Sequence, residues 1–290
     1  MINKKGKSFY FCWFFFITFV IFLYGPTFTI VLLSFQGPEG GLTFPMNGFS
    51  FHWFEKLWEG GGYVDIGSAF RRSILLGIIL MILTVILSVS TGMAFRKKFF
   101  GSNFLFFLTI SSLIVPSIIL SLGVALEFRL IDETIKFIGN KYNIDWIIND
   151  FQTTLNMFSS GLGAQLTWTL PFGLLIMFAI FNRFDKSYEE ASKDLGATSW
   201  QTFKYIVLPI IAPSVIGIAL FGFTLSYDEL ARSSQVMGAT NTLPLELKGL
   251  TTTVTTPVIY ALGTLTTGIS FLVIFIAICS FFIIKRKKIK

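Results

Sequence analysis

The chain has 290 residues, 53% of them hydrophobic and 13% charged, including 35 phenylalanines. A soluble domain carries about 25% charged residues, so this composition excludes a soluble globular enzyme and leaves no length for a large aqueous domain beside a membrane-embedded one. The net charge of +7 acts through its distribution along the chain and does not indicate nucleic-acid binding, and the single histidine, His52, with only Cys12 and Cys279, excludes a Cys/His metal site.

In chain order, the first apolar span covers about 9–34, after Lys4, Lys5 and Lys7. It is longer than a signal-peptide core and lacks a small-residue cleavage site, which reads as an uncleaved transmembrane helix. A Gly-rich polar segment comes next, as far as Arg72. Within it, residues 48–58 mix aromatic and charged side chains, as an amphipathic helix at a membrane interface does. The second span, about 73–95, ends at Arg96, Lys97 and Lys98. A turn at Gly101, Ser102 and Asn103 leads to the third, about 104–126, broken by Pro116. Residues 127–161 form a mixed polar segment with a weak helical periodicity at Ile131, Ile135 and Ile138. The fourth span, about 162–181, contains Pro171. A polar loop at 185–206 precedes the fifth, about 207–227, with Pro209 and Pro213 near its start. A Thr-rich polar segment separates it from the sixth, about 260–284, and a basic tail closes a single membrane domain covering 1–290.

Six spans put both termini on one side, and the basic residues choose it. Lys4, Lys5, Lys7, Arg96, Lys97, Lys98, Arg183, Lys186, Lys193, Lys204 and the five tail cations make 15 of the 23 basic residues, facing only four acids; the other side has 8 basic residues and 12 acids. The termini and the 185–206 loop are therefore predicted to be cytoplasmic.

No span carries an ionisable residue near its middle, where a charge costs roughly 2.5–3.5 kcal/mol on the lenient insertion scale. Ion-coupled carriers retain such residues for function, so their absence argues for energy delivered from outside the bundle. Motifs for zinc hydrolysis or a serine nucleophile are missing. Pro116, Pro171, Pro209 and Pro213 either mark broken helices at a binding site or are kinks repaired by neighbouring helices. At the outer end of the fifth span, Ser226 and Tyr227 precede the adjacent carboxylates Asp228 and Glu229, a group that either receives a cation or simply ends the helix in water.

The loop carries the densest punctuation. Ser187 with Glu190, and Thr198 with Gln201, have capping-box spacing, and Gly196 supplies a left-handed helix terminator. The reading is helix, glycine turn, helix, with Pro209 stopping or kinking the chain beyond. The spacing Glu190-Ala191-Ser192, three residues, Gly196, nine residues, Ile206-Val207-Leu208-Pro209 resembles the cytoplasmic loop of binding-protein-dependent ABC transporter permeases, departing only at Ser192. Phe223-Thr224-Leu225-Ser226, Asp228-Glu229 and Ser233-Ser234, with Thr169-Leu170-Pro171-Phe172 and the aromatic segment at Trp53, are further similar to the second permease subunit of spermidine/putrescine importers. Two features depart from that pattern: an insertion at about 131–158, and Arg232, a cation where a cationic substrate passes.

The resemblance implies an all-α type I ABC importer permease in the bacterial inner membrane, working by alternating access. It implies that Glu190, Ala191, Ser192, Gly196, Ile206, Leu208 and Pro209 couple the chain to an ATPase. Partners would be two ATPase copies, which carry ATP and magnesium, a second, paralogous permease, an external solute-binding protein and membrane lipid. This chain would hold no cofactor and perform no catalysis. For a polyamine, Ser226, Tyr227, Asp228, Glu229 and Trp168 would line the pathway, the rings adding cation–π contacts. An amino-phosphonate, ferric ion or thiamine is the alternative solute, and an energy-independent channel or membrane scaffold the alternative class.

Overall fold

The structure is a computed structural model that describes residues 7–59, 66–97, 99–253 and 256–287. The basic residues Lys4, Lys5, Lys98, Lys288 and Lys290 lie outside the described residues. Among the described residues the fold is helical, with one isolated bridge between Gln36 and Phe49 and no strand. Helix is the expected answer for apolar runs of this length, because only helices and closed barrels satisfy every backbone group inside a bilayer. Among the described residues, four helical stretches are long and apolar enough to cross a membrane: Ser8–Leu33, Ile66–Phe95, Met157–Phe181 and Ser199–Tyr227.

The chain divides into two compact units. The first, 1–66 with 247–275, contains α1 (Lys7–Leu33), α2 (His52–Trp58) and most of α12 (Val258–Lys287). α1 leaves nearly all of its Phe-rich surface uncovered. The loop behind it is knotted around the fully buried Gln36, whose amide donates to the Gly41 and Thr43 carbonyls and accepts from the Asn47 N–H at 2.8 Å. The Tyr260 hydroxyl donates to the Leu42 carbonyl, and the Trp53 indole N–H to that of Gly37. α2 is short, with Trp53 buried and Trp58 exposed, as an amphipathic segment requires.

The second unit, 67–246 with 276–290, is organised around α3 (Ile66–Phe95), α7 (Leu162–Phe181) and α10 (Leu208–Tyr227). Small residues let these helices approach, the device that replaces a hydrophobic driving force inside lipid. A methyl group on Gly173 would lie 2.0 Å from the Ser88 hydroxyl, and one on Gly222 would meet Thr84 and the Met81 backbone at 3.2–3.3 Å. Thr84 and Thr169 share a buried 2.8 Å hydrogen bond across the same seam. Toward the 185–206 loop, Val89, Met177, Phe181, Val207, Ile211 and Ile218 form one apolar cluster.

Two readings from the sequence need correction here. The third apolar span is broken before Pro116, as its sequence predicts, into α4 (Ser102–Ser111) and α5 (Ser117–Tyr142), but α5 runs well past the predicted end at 126. Its buried face is Ser121, Ala125, Asp132 and Gly139, while Ile131 and Ile138 point outward. The apolar triplet is therefore not the packed face. Asp132 is, because its carboxylate accepts from the Thr153 hydroxyl and from the Thr154 N–H and hydroxyl, fastening the segment after α6 (Asp145–Asn149) back onto α5.

Candidate functional site

The 185–206 loop folds as a helix, a glycine turn and a second helix. α8 spans Ser187–Asp194 and ends in a Schellman arrangement: the Ala197 N–H bonds the Ser192 carbonyl at 3.0 Å and the Gly196 N–H bonds that of Lys193 at 2.8 Å. Gly196 adopts φ +83°, where an L side chain is strained. Thr198 caps α9 (Ser199–Thr202) in a complete capping box, its N–H donating to the Gln201 side chain at 2.8 Å. Ser192, the departure from the family spacing, is buried and shares a 2.8 Å hydrogen bond with Thr202 that ties α8 to α9. A hydroxyl serves here because it has a hydroxyl to face.

The expected box between Ser187 and Glu190 does not form. The residue before α8 is Lys186 in helical conformation, and the Ser187 N–H donates to Asp185 Oδ1 at 2.9 Å. Asp185 lies two residues ahead of that N–H, so its carboxylate reaches it first; the bonds from the Ser187 backbone and hydroxyl hold the Asp185 carboxyl below its ordinary value. Glu190 is exposed. Pro209 does not stop the helix either. The chain is helical from Ser199 to Tyr227, and a widened turn at Phe203–Val207 makes room for the proline ring. Ala191 is exposed, Ile206 half-buried, and at the start of α10 Leu208 is exposed and Pro209 half-buried.

The loop is braced by a pair that reading the sequence did not single out. Arg96, just past α3, meets Glu189 with both guanidinium nitrogens, at 2.6 and 3.1 Å. Its guanidinium carbon also lies 5.0 and 5.1 Å from the Phe181 and Phe184 ring centres. In the sequence Arg96 counts only as an inside-facing charge, and Glu189 stands one position before the motif. An open cleft of about 350 Å³ adjoins the pair, lined by Arg96, Lys97, Lys186, Lys193 and Thr202 among others. Beyond the brace the loop presents uncovered apolar side chains: Leu195 is 90% exposed and Trp200 68%, with Tyr188 exposed as well.

At the opposite end of α10 the predicted pathway residues separate into different environments. Ser226 is buried, its hydroxyl donating to Gln165 Oε1 at 2.6 Å, and Gln165 in turn donates to Ser233 at 2.8 Å. Tyr227 is buried and stacked on Phe223. Asp228 is exposed, whereas Glu229 accepts from the Arg232 N–H at 2.7 Å. Trp168 is half-buried, and Arg232 covers its ring at 4.8 Å. Arg232 itself is fully buried. The cation expected to stand in a passage is folded inward instead.

The chain is similar to known proteins over most of its length. A family model described as a binding-protein-dependent transport system inner membrane component matches residues 84–287. The spermidine/putrescine transport system permease protein PotC of Haemophilus influenzae is 28% identical over 246 residues, covering 84% of this chain and 86% of its own. The putrescine transport system permease protein PotI of Escherichia coli K12 is 29% identical over 259 residues, covering 88% of this chain and 85% of its own. A crystal structure of a bacterial ABC transporter involved in the import of the acidic polysaccharide alginate superposes with a TM-score of 0.65, at 14% identity and 93% coverage of both chains.

Proposed function

The chain belongs to the inner-membrane components of binding-protein-dependent transport systems, and from that membership we propose that it is a permease subunit of an ATP-driven importer whose solute is a polyamine. The observation that carries the reading is the 185–206 loop. It is locked to the bundle by Arg96 and Glu189, pinned internally by Ser192 and Thr202, and crowned by exposed Leu195 and Trp200. Exposed large apolar groups beside a polar cleft are the surface of a protein that docks on another. The occupant is the ATPase, two copies serving this chain and a paralogous permease.

Nucleotide and magnesium reside on that partner. In the proposed cycle, ATP draws the ATPases together, α8 and α9 are pushed, and the bundle opens outward to a binding protein. The chain crosses the bacterial inner membrane six times, with both termini and the loop cytoplasmic, as the basic asymmetry requires. Solute identity is supported by the named substrates of the two permease relatives. The carboxylates at the outer end of α10 are suited to an ammonium group. At about 4 Å and an effective dielectric near 20, such a contact is worth on the order of 4 kcal/mol before desolvation, a strength that still permits release.

The test is uptake of labelled putrescine and spermidine in cells with and without the chain. Loss of polyamine uptake on deletion, restored by the wild type but not by Asp228→Asn with Glu229→Gln, supports the reading. Unchanged polyamine uptake with loss of thiamine, ferric ion or amino-phosphonate uptake would transfer it to that solute.

A further inference from the structure

A proline within α7 and the end of α4 leave two carbonyls without helical partners, and the same place repairs both. An α-helix bonds each carbonyl to the N–H four residues on, and proline has none. Pro171, inside α7, therefore orphans the Thr167 carbonyl, and the Ser112 carbonyl lies just past the end of α4 in the break before Pro116, with no helical N–H to accept from. The Ser112 hydroxyl donates to the Thr167 carbonyl at 2.7 Å, and Arg232 Nη2 donates to the Ser112 carbonyl at 2.8 Å. Arg232 Nη1 donates to the Thr167 hydroxyl, and its Nε to the Ser117 hydroxyl at 3.3 Å. The guanidinium also lies against the Trp168 ring face. Among the described residues it meets no carboxylate at ion-pair distance; Glu229 accepts from its backbone instead.

A buried arginine held only for stability is ordinarily paired with an acid. This one sits among a carbonyl, two hydroxyls and an indole face, the neutral acceptors that recognise an ammonium or guanidinium group without trapping it. The groups that form the enclosure come from the turn after α4, from α5 and from α7, whereas its occupant comes from the loop after α10. Lifting that loop would leave the enclosure whole and the Ser112 carbonyl again in need of a donor.

We infer that Ser112, Ser117, Thr167 and Trp168 form a cage for a primary ammonium or guanidinium group, which in this conformation holds the chain's own Arg232 as a tethered occupant and receives a substrate ammonium once the loop lifts. The substrate clause rests on the polyamine reading above; the cage does not.

The test compares melting temperatures of the assembled transporter carrying Arg232→Lys, Arg232→Met or Arg232→Ala. Lysine and methionine are both unbranched, and only lysine brings a cation, so the cage predicts Lys near the wild type and Met well below it. The Ala variant should recover stability with methylguanidinium, ethylammonium or putrescine. Sodium at equal ionic strength and neutral N-methylurea should do nothing, and adding Trp168→Leu should abolish the recovery. Equal melting of the Lys and Met variants would overturn the cage, and this pair decides if the Ala variant does not assemble. Recovery that sodium matches, or that survives Trp168→Leu, would overturn it too, and a cage that ignores putrescine is no substrate station. A failed cage with intact wild-type putrescine uptake leaves the transport reading standing.

Discussion

Removing Arg96 should release the 185–206 loop from the bundle while leaving both folded. The pair with Glu189 is partly buried, its side chains 13% and 18% exposed. It therefore lies between an exposed pair, worth under about 1 kcal/mol, and a buried one, whose breaking costs about 3–5 kcal/mol. Hydrogen bonds to charged groups contribute about 1.5–3 kcal/mol, and each of the two ring contacts about 0.5–1 kcal/mol. Arg96→Ala is thus expected to weaken the attachment of α8 by about 2–4 kcal/mol, and Glu189→Gln, which keeps shape and loses charge, by about 1–2 kcal/mol. A loss of about 2 kcal/mol makes the detached state roughly thirty-fold more populated. In proteoliposomes holding the complete transporter, Arg96→Ala should lower ATP-driven uptake more than basal ATPase activity. A double-mutant cycle with Glu189→Ala should show strong non-additivity. Exchanging the charges should restore only part of the uptake, because a carboxylate at 96 would face the negative faces of Phe181 and Phe184. Additive single effects, or uptake within about twofold of the wild type in Arg96→Ala, would refute the brace.

Three further outcomes rest on local geometry. Gly196→Ala places a side chain at φ +83° and should cost about 1 kcal/mol or more, and Gly196→Asp should abolish uptake in an assembled complex; normal uptake in both would contradict a coupling role. Cysteines at Asn103 and Lys186, in a background lacking Cys12 and Cys279, should resist impermeant thiol reagents in intact cells while those at Gly40 and Asn140 react; labelling at Lys186 from outside would overturn the topology. Burial alone would raise the Asp132 carboxyl, but the bonds from Thr153 and Thr154 outweigh it and hold the group below its ordinary value. A depressed folded value means the stabilisation is complete above the unfolded value and disappears as pH falls through the folded one. Limited proteolysis at 145–156 should therefore stay slow at neutral pH, accelerate below about pH 4, and be fast at every pH in Asp132→Ala; a pH-independent wild-type rate would contradict this.

What the sequence made legible was local. The ends of α7 at Phe181 and of α10 at Tyr227 agree with the predicted spans because Asn182 and Asp228 stand immediately outside them, whereas at their starts the helices continue back to Met157 and Ser199. Gly196 and the Thr198–Gln201 box were readable for the same reason, each requiring only neighbours within one turn. The Ser187 cap failed where two local solutions competed, and Asp185 was the nearer acceptor. α5 overran its predicted end because its packed face carries Asp132 and Gly139 in place of apolar residues, a pattern hydropathy cannot see. Least legible were the long-range partners. Nothing local says that Arg96 reaches across 93 positions to Glu189, or that Arg232 supplies the donor missing 120 positions earlier. Pro116 and Pro171 announced broken or kinked helices, and tertiary contacts decided how each was repaired.

The central claim, an ATP-driven importer subunit for polyamines, is tested most directly by reconstitution. The chain, its paralogous permease, the ATPase and the solute-binding protein would be placed in proteoliposomes with labelled putrescine outside. The account predicts accumulation above the external concentration that requires ATP, the binding protein and this chain together. Equilibration without ATP would identify a channel, and ATP-dependent accumulation of other solutes with none of putrescine or spermidine would contradict the polyamine assignment.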